Sequence, residues 1–144
     1  TVPVGDIAPK PQELIETTRD ALYVGIAELV PGNRLSDVGH AIEKRIASAG
    51  FSVVRQFVGH GIGRELHERP QIPNYGKPGR GPRLVSGMVF AIEPMVNAGA
   101  HGVRMLEDEW TAVTADGSLS AHFEHTVLIT ETGPEILTRV PGSH

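Results

Sequence analysis

The first third of the chain carries apolar residues at helical spacing in two stretches. From Pro11 to Val30 they recur every three to four positions, and Pro31-Gly32 ends this stretch. In the second stretch Ser36 is suited to cap a helix and Gly50 to end it. The apolar face of this second helix is formed by Val38, Ile42, Ile46 and Ala49. The pattern therefore predicts two amphipathic helices, each with one buried face.

The rest of the chain alternates short apolar runs with turns, a pattern typical of β-strands. The run from Phe51 to Val58 predicts a strand that leads into a glycine-rich turn at residues 59–68. Residues 71–87 are rich in proline and glycine and predict a loop. Further strands are predicted at Met88–Val96, Val103–Leu106, Trp110–Thr114, Ala121–Thr130 and Glu135–Thr138. Two helices followed by a run of strands predict an α+β fold, in which the helices cover one face of a mainly antiparallel sheet.

The composition is that of a globular protein without cysteine. With 144 residues, of which 40% are hydrophobic and 21% charged, the chain fits one domain with a sizeable core. The absence of cysteine excludes disulfides and thiolate metal sites, so any metal must be bound by histidine, carboxylate or water. The net charge of -4 does not favour nucleic acid as the main partner.

The sequence carries no signal for a membrane or for secretion. No apolar stretch approaches the roughly 20 residues that span a bilayer. The N-terminus also lacks the charged and apolar regions of a signal peptide. We therefore expect a cytoplasmic protein with no membrane partner.

The predicted loop at residues 71–87 is basic, although the chain as a whole is acidic. Its positive charge comes from Lys77, Arg80 and Arg83. One interpretation is a solvated loop at the rim of the molecule. The other is a contact with a large anionic partner such as ribosomal RNA.

His60 lies between two glycines in the stretch Gly-His-Gly-Ile-Gly at residues 59–63. Because glycine allows close approach of the backbone, a histidine in this position suits a ligand or a catalytic base better than a packing residue. The alternative is a tight turn in which His60 and the nearby His67 are merely exposed. This stretch by itself leaves both interpretations open.

Two glutamates occur in runs that are otherwise apolar. Glu93 lies in Met-Val-Phe-Ala-Ile-Glu-Pro-Met-Val, and Glu124 in Ala-His-Phe-Glu-His-Thr-Val-Leu-Ile. A buried, ionised carboxylate without a partner is costly, and two on neighbouring strands repel unless a cation lies between them. With His60 they form a mixed nitrogen and oxygen ligand set that suits Zn, Mn, Co or Fe(II). The alternative is a buried ion pair of either glutamate with Arg55 or Arg104.

The histidines beside Glu124 are weaker candidates. Strand alternation places His122 and Glu124 on one face and His125 on the other, so the His-x-Glu-His spelling is not a compact ligand motif. We do not expect His122 to bind metal. His125 is expected to support the ligands from outside or to pack.

Three stretches together resemble the type 1 methionine aminopeptidases, a family with the pita-bread metalloprotease fold. They are Gly-His-Gly-Ile-Gly-Arg-Glu-Leu-His-Glu-Arg-Pro (59–70), Gly-Met-Val-Phe-Ala-Ile-Glu-Pro-Met-Val-Asn-Ala-Gly (87–99) and Ser-Leu-Ser-Ala-His-Phe-Glu-His-Thr (118–126). The resemblance implies the C-terminal part of that fold, with its curved antiparallel sheet. It also implies removal of the initiator methionine from nascent proteins by a hydroxide that bridges two divalent ions (Co, Mn, Fe or Zn). Nascent N-termini would then be the partners, the ribosome would be approached through residues 71–87, and the complete enzyme would be a monomer.

The same resemblance implies roles for individual residues. His60 and Glu93 would bind one ion and Glu124 would bridge two, with Glu93 also acting as general base and then acid. His67 would donate a hydrogen bond to the scissile peptide. Trp110 would line the methionine pocket with Leu66, which stands where the bacterial family often has phenylalanine.

The family needs five metal ligands, and two of them are aspartates that lie before the stretch matched by Thr1–Asp6. We therefore expect residues 1–144 to be a single but incomplete catalytic domain that lacks the N-terminal half of the fold. Alone, it should bind at most one metal, weakly, and show little or no activity. The alternatives are an Xaa-Pro peptidase of the same fold, which the Glu-Pro-Met spelling disfavours, and a non-catalytic pita-bread binding module.

Overall fold

The two predicted helices form the first layer of the structure, a computed structural model that describes residues 1–140. Helix α1 spans Pro9–Ala27 and helix α2 spans Leu35–Ser48. The predicted apolar face of α2 is buried at Val38, Ile42 and Ile46. The predicted end of the first helix is wrong, because α1 stops three residues before Val30. The predicted domain boundary at His144 lies outside the described residues.

The predicted cap of the second helix is also wrong. The cap residue is Arg34, whose main-chain nitrogen donates to the Asp37 carboxylate at 2.7 Å. Ser36 lies inside the first turn, where its side-chain oxygen accepts a hydrogen bond from the Arg80 main-chain nitrogen at 2.7 Å. The Ser36 hydroxyl, which was predicted to cap the helix, is therefore bonded to the loop that contains Arg80. Gly50 follows the helix with φ 77°, as its predicted role at the C-terminal end requires.

In the part of the chain that the structure describes, ten short strands form three sheets, and every strand pair is antiparallel. Their order is β1-β5-β8 in one sheet, β10-β9-β4-β2-β3 in the second and β6-β7 in the third. The strands are β1 (Ser52–Val53), β2 (Gly59–Gly61), β3 (Glu68–Ile72), β4 (Val89–Ile92), β5 (Met95–Asn97), β6 (Val103–Met105), β7 (Ala112–Thr114), β8 (Ser120–His122), β9 (His125–Thr130) and β10 (Gly133–Ile136). The α+β prediction is confirmed, although the strands form three sheets where one was expected.

Two long predicted strands are each broken in the middle. The prediction at Met88–Val96 becomes β4 and β5, separated by Glu93-Pro94, because proline has no N–H to offer a ladder. The prediction at Ala121–Thr130 becomes β8 and β9, separated at residues 123–124. Since β4 pairs with β9 and β5 pairs with β8, the two breaks lie side by side. The chain thus crosses twice from one sheet to the other at the same place.

The prediction of a strand from Phe51 to Val58 is wrong for most of its length. Only Ser52–Val53 pairs, and the glycine-rich stretch after it begins as strand β2 and not as a turn. Strand β2 lies between β3 and β4 in the larger sheet. The stretch predicted as turn therefore occupies an interior strand, where its side chains have fixed directions.

The helices cover the sheets and enclose the core. Helix α1 packs on α2, β5 and β8, and α2 also contacts β1 and β3. Fully buried side chains from both layers include Leu22, Leu29, Ile42, Ile46, Ile72, Leu84, Ile92, Val96, Val127 and Ile129. Within residues 1–140, no helix combines the length and the apolar composition needed to cross a membrane.

The loop between β3 and β4 is held by buried side chains and by main-chain hydrogen bonds to the segment before α2. Asn74 and Leu84 are buried within it, and residues 79–84 run beside residues 32–37 with several main-chain hydrogen bonds. The charged side chains of Lys77, Arg80 and Arg83 nevertheless stay exposed. The structure thus gives the loop a fixed backbone with its positive charges facing outward.

Asp116 lies in the turn between β7 and β8, and its carboxylate accepts a hydrogen bond from the loop between β5 and β6. The titration of this carboxylate should be measurable. Hydrogen bonds from the Ser118 hydroxyl, the Ala100 amide and the Ser118 amide lower the pKa of Asp116 to about 2. Because the folded-state pKa lies below the usual 3.8, this stabilisation is present above that value and is lost as pH falls toward 2. Asp116→Asn is therefore expected to lower the urea midpoint at neutral pH. The gap to the unmodified chain should close in acid, and a gap independent of pH would contradict this account.

Candidate metal centre

The glycines on both sides of His60 allow its strand to pack closely between two others, and this packing fixes the position of His60. A Cβ on Gly59 would lie 2.3 Å from the Ala91 carbonyl oxygen, and a Cβ on Gly61 would lie 2.5 Å from that of Arg69. Only glycine lets β2 fit between its neighbours at this closeness. His60 pairs with Ala91 of β4, two residues before Glu93. The sheet therefore holds the imidazole beside the place where the chain crosses between sheets.

The three residues expected to bind metal meet at this crossing. One ligand atom from each of His60, Glu93 and Glu124 lies within 4.8 Å of the other two. The His60 Nε2 atom is 3.5 Å from Glu93 Oε1, and these side chains are 14% and 15% exposed. Glu124 was predicted to be buried but is exposed, at the break between β8 and β9. Solvent therefore reaches the group of three donors from the side of Glu124.

The charge balance of this cluster fits a divalent cation. Burial raises the pKa of Glu93, the nearby Glu124 carboxylate raises it further, and His60 acts in the opposite direction. Within residues 1–140 no arginine or lysine forms an ion pair with either carboxylate, and Arg55 pairs with Glu43. The alternative of a buried Glu–Arg pair is thus not realised. One imidazole and two carboxylates suit the borderline and hard divalent ions.

The other residues expected at the site lie at different distances from the cluster. The ring of His67 is exposed and stacks at a tilt on His60, with the ring centroids 4.2 Å apart. Leu66 beside it is 67% exposed. Trp110 is 87% exposed in the turn between β6 and β7, so it lines no enclosed pocket within residues 1–140. The structure brings His67 to the cluster and leaves Trp110 in solvent.

His122 lies beside Glu93, at the end of β8, where the strand breaks before Glu124. The His122 Nε2 atom is 3.9 Å from Glu93 Oε2, but His122 is not one of the three mutually close donors. Burial lowers the pKa of His122. The imidazole thus stands next to Glu93 without completing the ligand group.

His125 faces away from the ligands. Its Nδ1 atom is 2.9 Å from the Thr138 hydroxyl, and its Nε2 atom is 3.4 Å from the hydroxyl of Tyr23 on α1. These contacts fix the chain just after Glu124, in keeping with a supporting or packing role.

Sequence reasoning missed one residue beside the cluster. Asn74 was included in the predicted loop, but it is 1% exposed and donates a hydrogen bond to the Glu93 carbonyl oxygen. Asparagine next to proline is a common turn signal, and nothing in its sequence neighbourhood distinguishes a buried donor from a turn residue.

The chain is similar in sequence to known metallopeptidases. Residues 1–131 match the model of metallopeptidase family M24. The chain is 58% identical over 140 residues to methionine aminopeptidase 1 of Bacillus subtilis, which covers 97% of this chain and 56% of the relative. The relative from Clostridium acetobutylicum, also a methionine aminopeptidase, is 52% identical over 138 residues, which cover 96% of this chain and 55% of that protein. The chain spans about half the length of these curated relatives.

Solved structures show the same relationship. The methionine aminopeptidase of Thermotoga maritima superimposes with a TM-score of 0.93 at 56% identity, covering 95% of this chain and 55% of that one. The prolidase of Pyrococcus horikoshii superimposes with a TM-score of 0.72 at 25% identity, covering 96% of this chain and 34% of that one. The predicted pita-bread fold is confirmed, as a partial domain. Because the family model matches residues 1–131 of the 144, the chain belongs to metallopeptidase family M24.

Proposed function

We propose that this chain forms the metal-binding part of an aminopeptidase that removes the initiator methionine from nascent proteins. The observation that carries the proposal is the meeting of His60, Glu93 and Glu124 where the chain crosses between two sheets. The resemblance to the methionine aminopeptidases of Bacillus subtilis and Thermotoga maritima supplies the substrate class. Residues 1–144 are proposed to lie within a single catalytic domain.

The ligand set favours Co, Mn, Fe or Zn, and the complete enzyme is proposed to hold two such ions. Three protein donors converge within residues 1–140, so we propose that this chain alone binds at most one ion, weakly, and has little or no activity. When bound, the ions would lower the pKa of a water molecule and polarise the peptide carbonyl. His60 and Glu93 would hold one ion, and Glu124 would be shared between two.

The side chains of the chain itself would move the proton and orient the peptide. Glu93 is proposed to take a proton from the attacking water and deliver it to the leaving amine, because its carboxylate lies at the centre of the donor group, beside His60 and Glu124. His67 is exposed beside His60 and can donate a hydrogen bond to the peptide carbonyl oxygen. Leu66 and Trp110 are proposed to contact the methionine side chain, for which their exposure leaves them accessible.

A second candidate function follows from the structural similarity to prolidase, which implies an Xaa-Pro peptidase on the same fold. A third candidate is a binding module without activity, and the presence of all three expected donors weighs against it. The test compares Met-Ala-Ser with Xaa-Pro peptides, using the protein at its full encoded length with any residues upstream of Thr1. We expect turnover of Met-Ala-Ser only. Cleavage of the Xaa-Pro peptides alone would establish the second candidate, and no cleavage of either would favour the third.

We further propose a cytoplasmic monomer that meets ribosomal RNA through residues 71–87. The support is the exposure of Lys77, Arg80 and Arg83 on a loop whose backbone is fixed against residues 32–37. A basic surface whose shape is already set loses little conformational entropy when it binds a phosphate backbone.

A further inference from the structure

Glu93 lies between β4 and β5, so its main chain is outside the strand pairing of both sheets. Strand β4 ends at Ile92, and Pro94 has no N–H to offer to either sheet. The Glu93 carbonyl oxygen instead accepts a hydrogen bond from Nδ2 of Asn74, at 3.3 Å. Asn74 is 1% exposed, so water does not compete for this contact.

Asn74 is itself held in place by helix α2. The helix approaches so closely at Gly39 that a Cβ there would lie 2.2 Å from the Pro73 carbonyl oxygen and 2.9 Å from the Tyr75 nitrogen. The Gly76 amide donates to the Glu43 carboxylate at 3.0 Å. The Nδ1 atom of His40 lies 3.1 Å from the Gly76 carbonyl oxygen. The residues on both sides of Asn74 are thus fixed to consecutive turns of one rigid helix.

We propose that Asn74 is a positioning residue for the metal ligand Glu93. A chain of contacts runs from α2 through the backbone of residues 73–76 to the Asn74 amide and the Glu93 carbonyl. It sets the main-chain direction at the break, and therefore where the Glu93 carboxylate lies relative to His60 and Glu124. Groups outside a ligand set commonly orient the ligands in this way. The inference rests on the proposed metal role of Glu93.

The molecule supplies a matched control for a merely structural role. Asn97 is also a buried asparagine, at 0% exposure, and its Nδ2 donates to the Ala100 carbonyl at 2.9 Å. In both asparagines the Oδ1 atom is buried and has no partner within residues 1–140. Asn97, however, holds the turn after β5, where its Nδ2 also lies 3.5 Å from the Gly102 carbonyl oxygen, and within residues 1–140 no hydrogen bond joins it to Glu93. The two residues therefore differ in what they hold, and not in burial or in the type of hydrogen bond.

The experiment compares Asn74→Ala with Asn97→Ala in the 144-residue chain. Co(II) affinity is measured by calorimetry and by the Co(II) absorption spectrum, and stability by the urea midpoint of the metal-free protein. Both variants should lower the midpoint, because each removes a buried side chain and leaves a main-chain carbonyl without its donor. Only Asn74→Ala should weaken Co(II) binding, by about 10- to 100-fold. Equal affinities in the two variants would overturn the proposal.

Leucine variants and metal-free crystal structures cover the cases in which a variant does not fold or the chain binds no Co(II). If an alanine variant fails to fold, Asn74→Leu and Asn97→Leu fill the same space without an amide and replace the alanine pair. If the unmodified chain binds no Co(II), the proposed metal role of the chain fails, and the positioning role is judged from metal-free crystal structures. The distance from His60 Nε2 to Glu93 Oε1, now 3.5 Å, should then lengthen in the Asn74 variant only. An unchanged distance would overturn the proposal.

Discussion

Replacement of Glu93 by glutamine is expected to abolish metal binding by the chain. Glu93 is the carboxylate that faces His60, and it also lies beside Glu124, so the substitution removes the central donor of the group. Changes to residues that merely support ligands already cost about 10- to 100-fold in metal affinity, and loss of a ligand should exceed the upper figure. Calorimetric titration with Co(II) or Zn(II) measures this, and the unmodified chain should show one weak site. Two tight sites in the unmodified chain would contradict the proposed ligand count.

The same substitution should leave the metal-free fold at least as stable as before. Burial and the nearby Glu124 carboxylate both disfavour the ionised form of Glu93, so glutamine removes a cost that the fold carries at neutral pH. Glu131→Gln is the matched control, because Glu131 is an exposed carboxylate in the turn between β9 and β10. It should change neither metal affinity nor the urea midpoint. A large loss of stability in Glu93→Gln would mean that the carboxylate is a structural group.

Replacement of Gly59 by alanine is expected to disrupt both the fold and the site. The new Cβ would lie 2.3 Å from the Ala91 carbonyl oxygen. That oxygen belongs to the main chain of β4 and cannot rotate away unless the pairing of β2 with β4 is broken. We expect a loss on the order of 3 kcal/mol in the free energy of unfolding, the upper end for overpacked interiors. Metal affinity should fall as well, because His60 follows Gly59 on the displaced strand.

Gly102→Ala is the matched control for this prediction. Its φ lies outside the left-handed region, and its Cβ would meet only the Ala115 side chain, at an ordinary 3.5 Å. The free energy of unfolding should change by less than about 0.5 kcal/mol. Urea unfolding and Co(II) titration of both variants decide the matter. If Gly59→Ala behaves like Gly102→Ala, the close packing of β2 does not account for the glycine.

The proposed metal centre lies where the strands of two sheets are interrupted. Glu93 and Glu124 each lie where a strand of one sheet stops and a strand of the other begins. Glu93 and Glu124 themselves lie outside the strands, so their side chains need not follow the alternation of a strand. His60 comes from an interior strand of the larger sheet and supplies the rigid third donor. We infer that the interruption of the strands, which weakens the sheet locally, is what allows the two carboxylates to approach each other.

The sequence predicted that the three candidate donors would meet, but it did not predict their surroundings. Carboxylates in apolar runs and a histidine between glycines pointed to the three donors, because charge burial and backbone access leave strong traces in composition. It failed on the breaks at residues 93–94 and 123–124, since an apolar run looks the same whether it forms one strand or two. It also failed on Asn74, whose burial depends on where α2 comes to lie.

By itself, then, the sequence determined the α+β class, the two amphipathic helices and the identity of the candidate ligands. These features depend on local periodicity and on the cost of placing charge among apolar neighbours, and both can be evaluated one stretch at a time. Only the tertiary structure decided that Glu124 is exposed, that His122 approaches Glu93, and that Trp110 lies in solvent. Those outcomes depend on how distant strands pair and where a strand leaves its sheet. Such pairing is set by contacts between segments far apart in the chain, which no single stretch encodes.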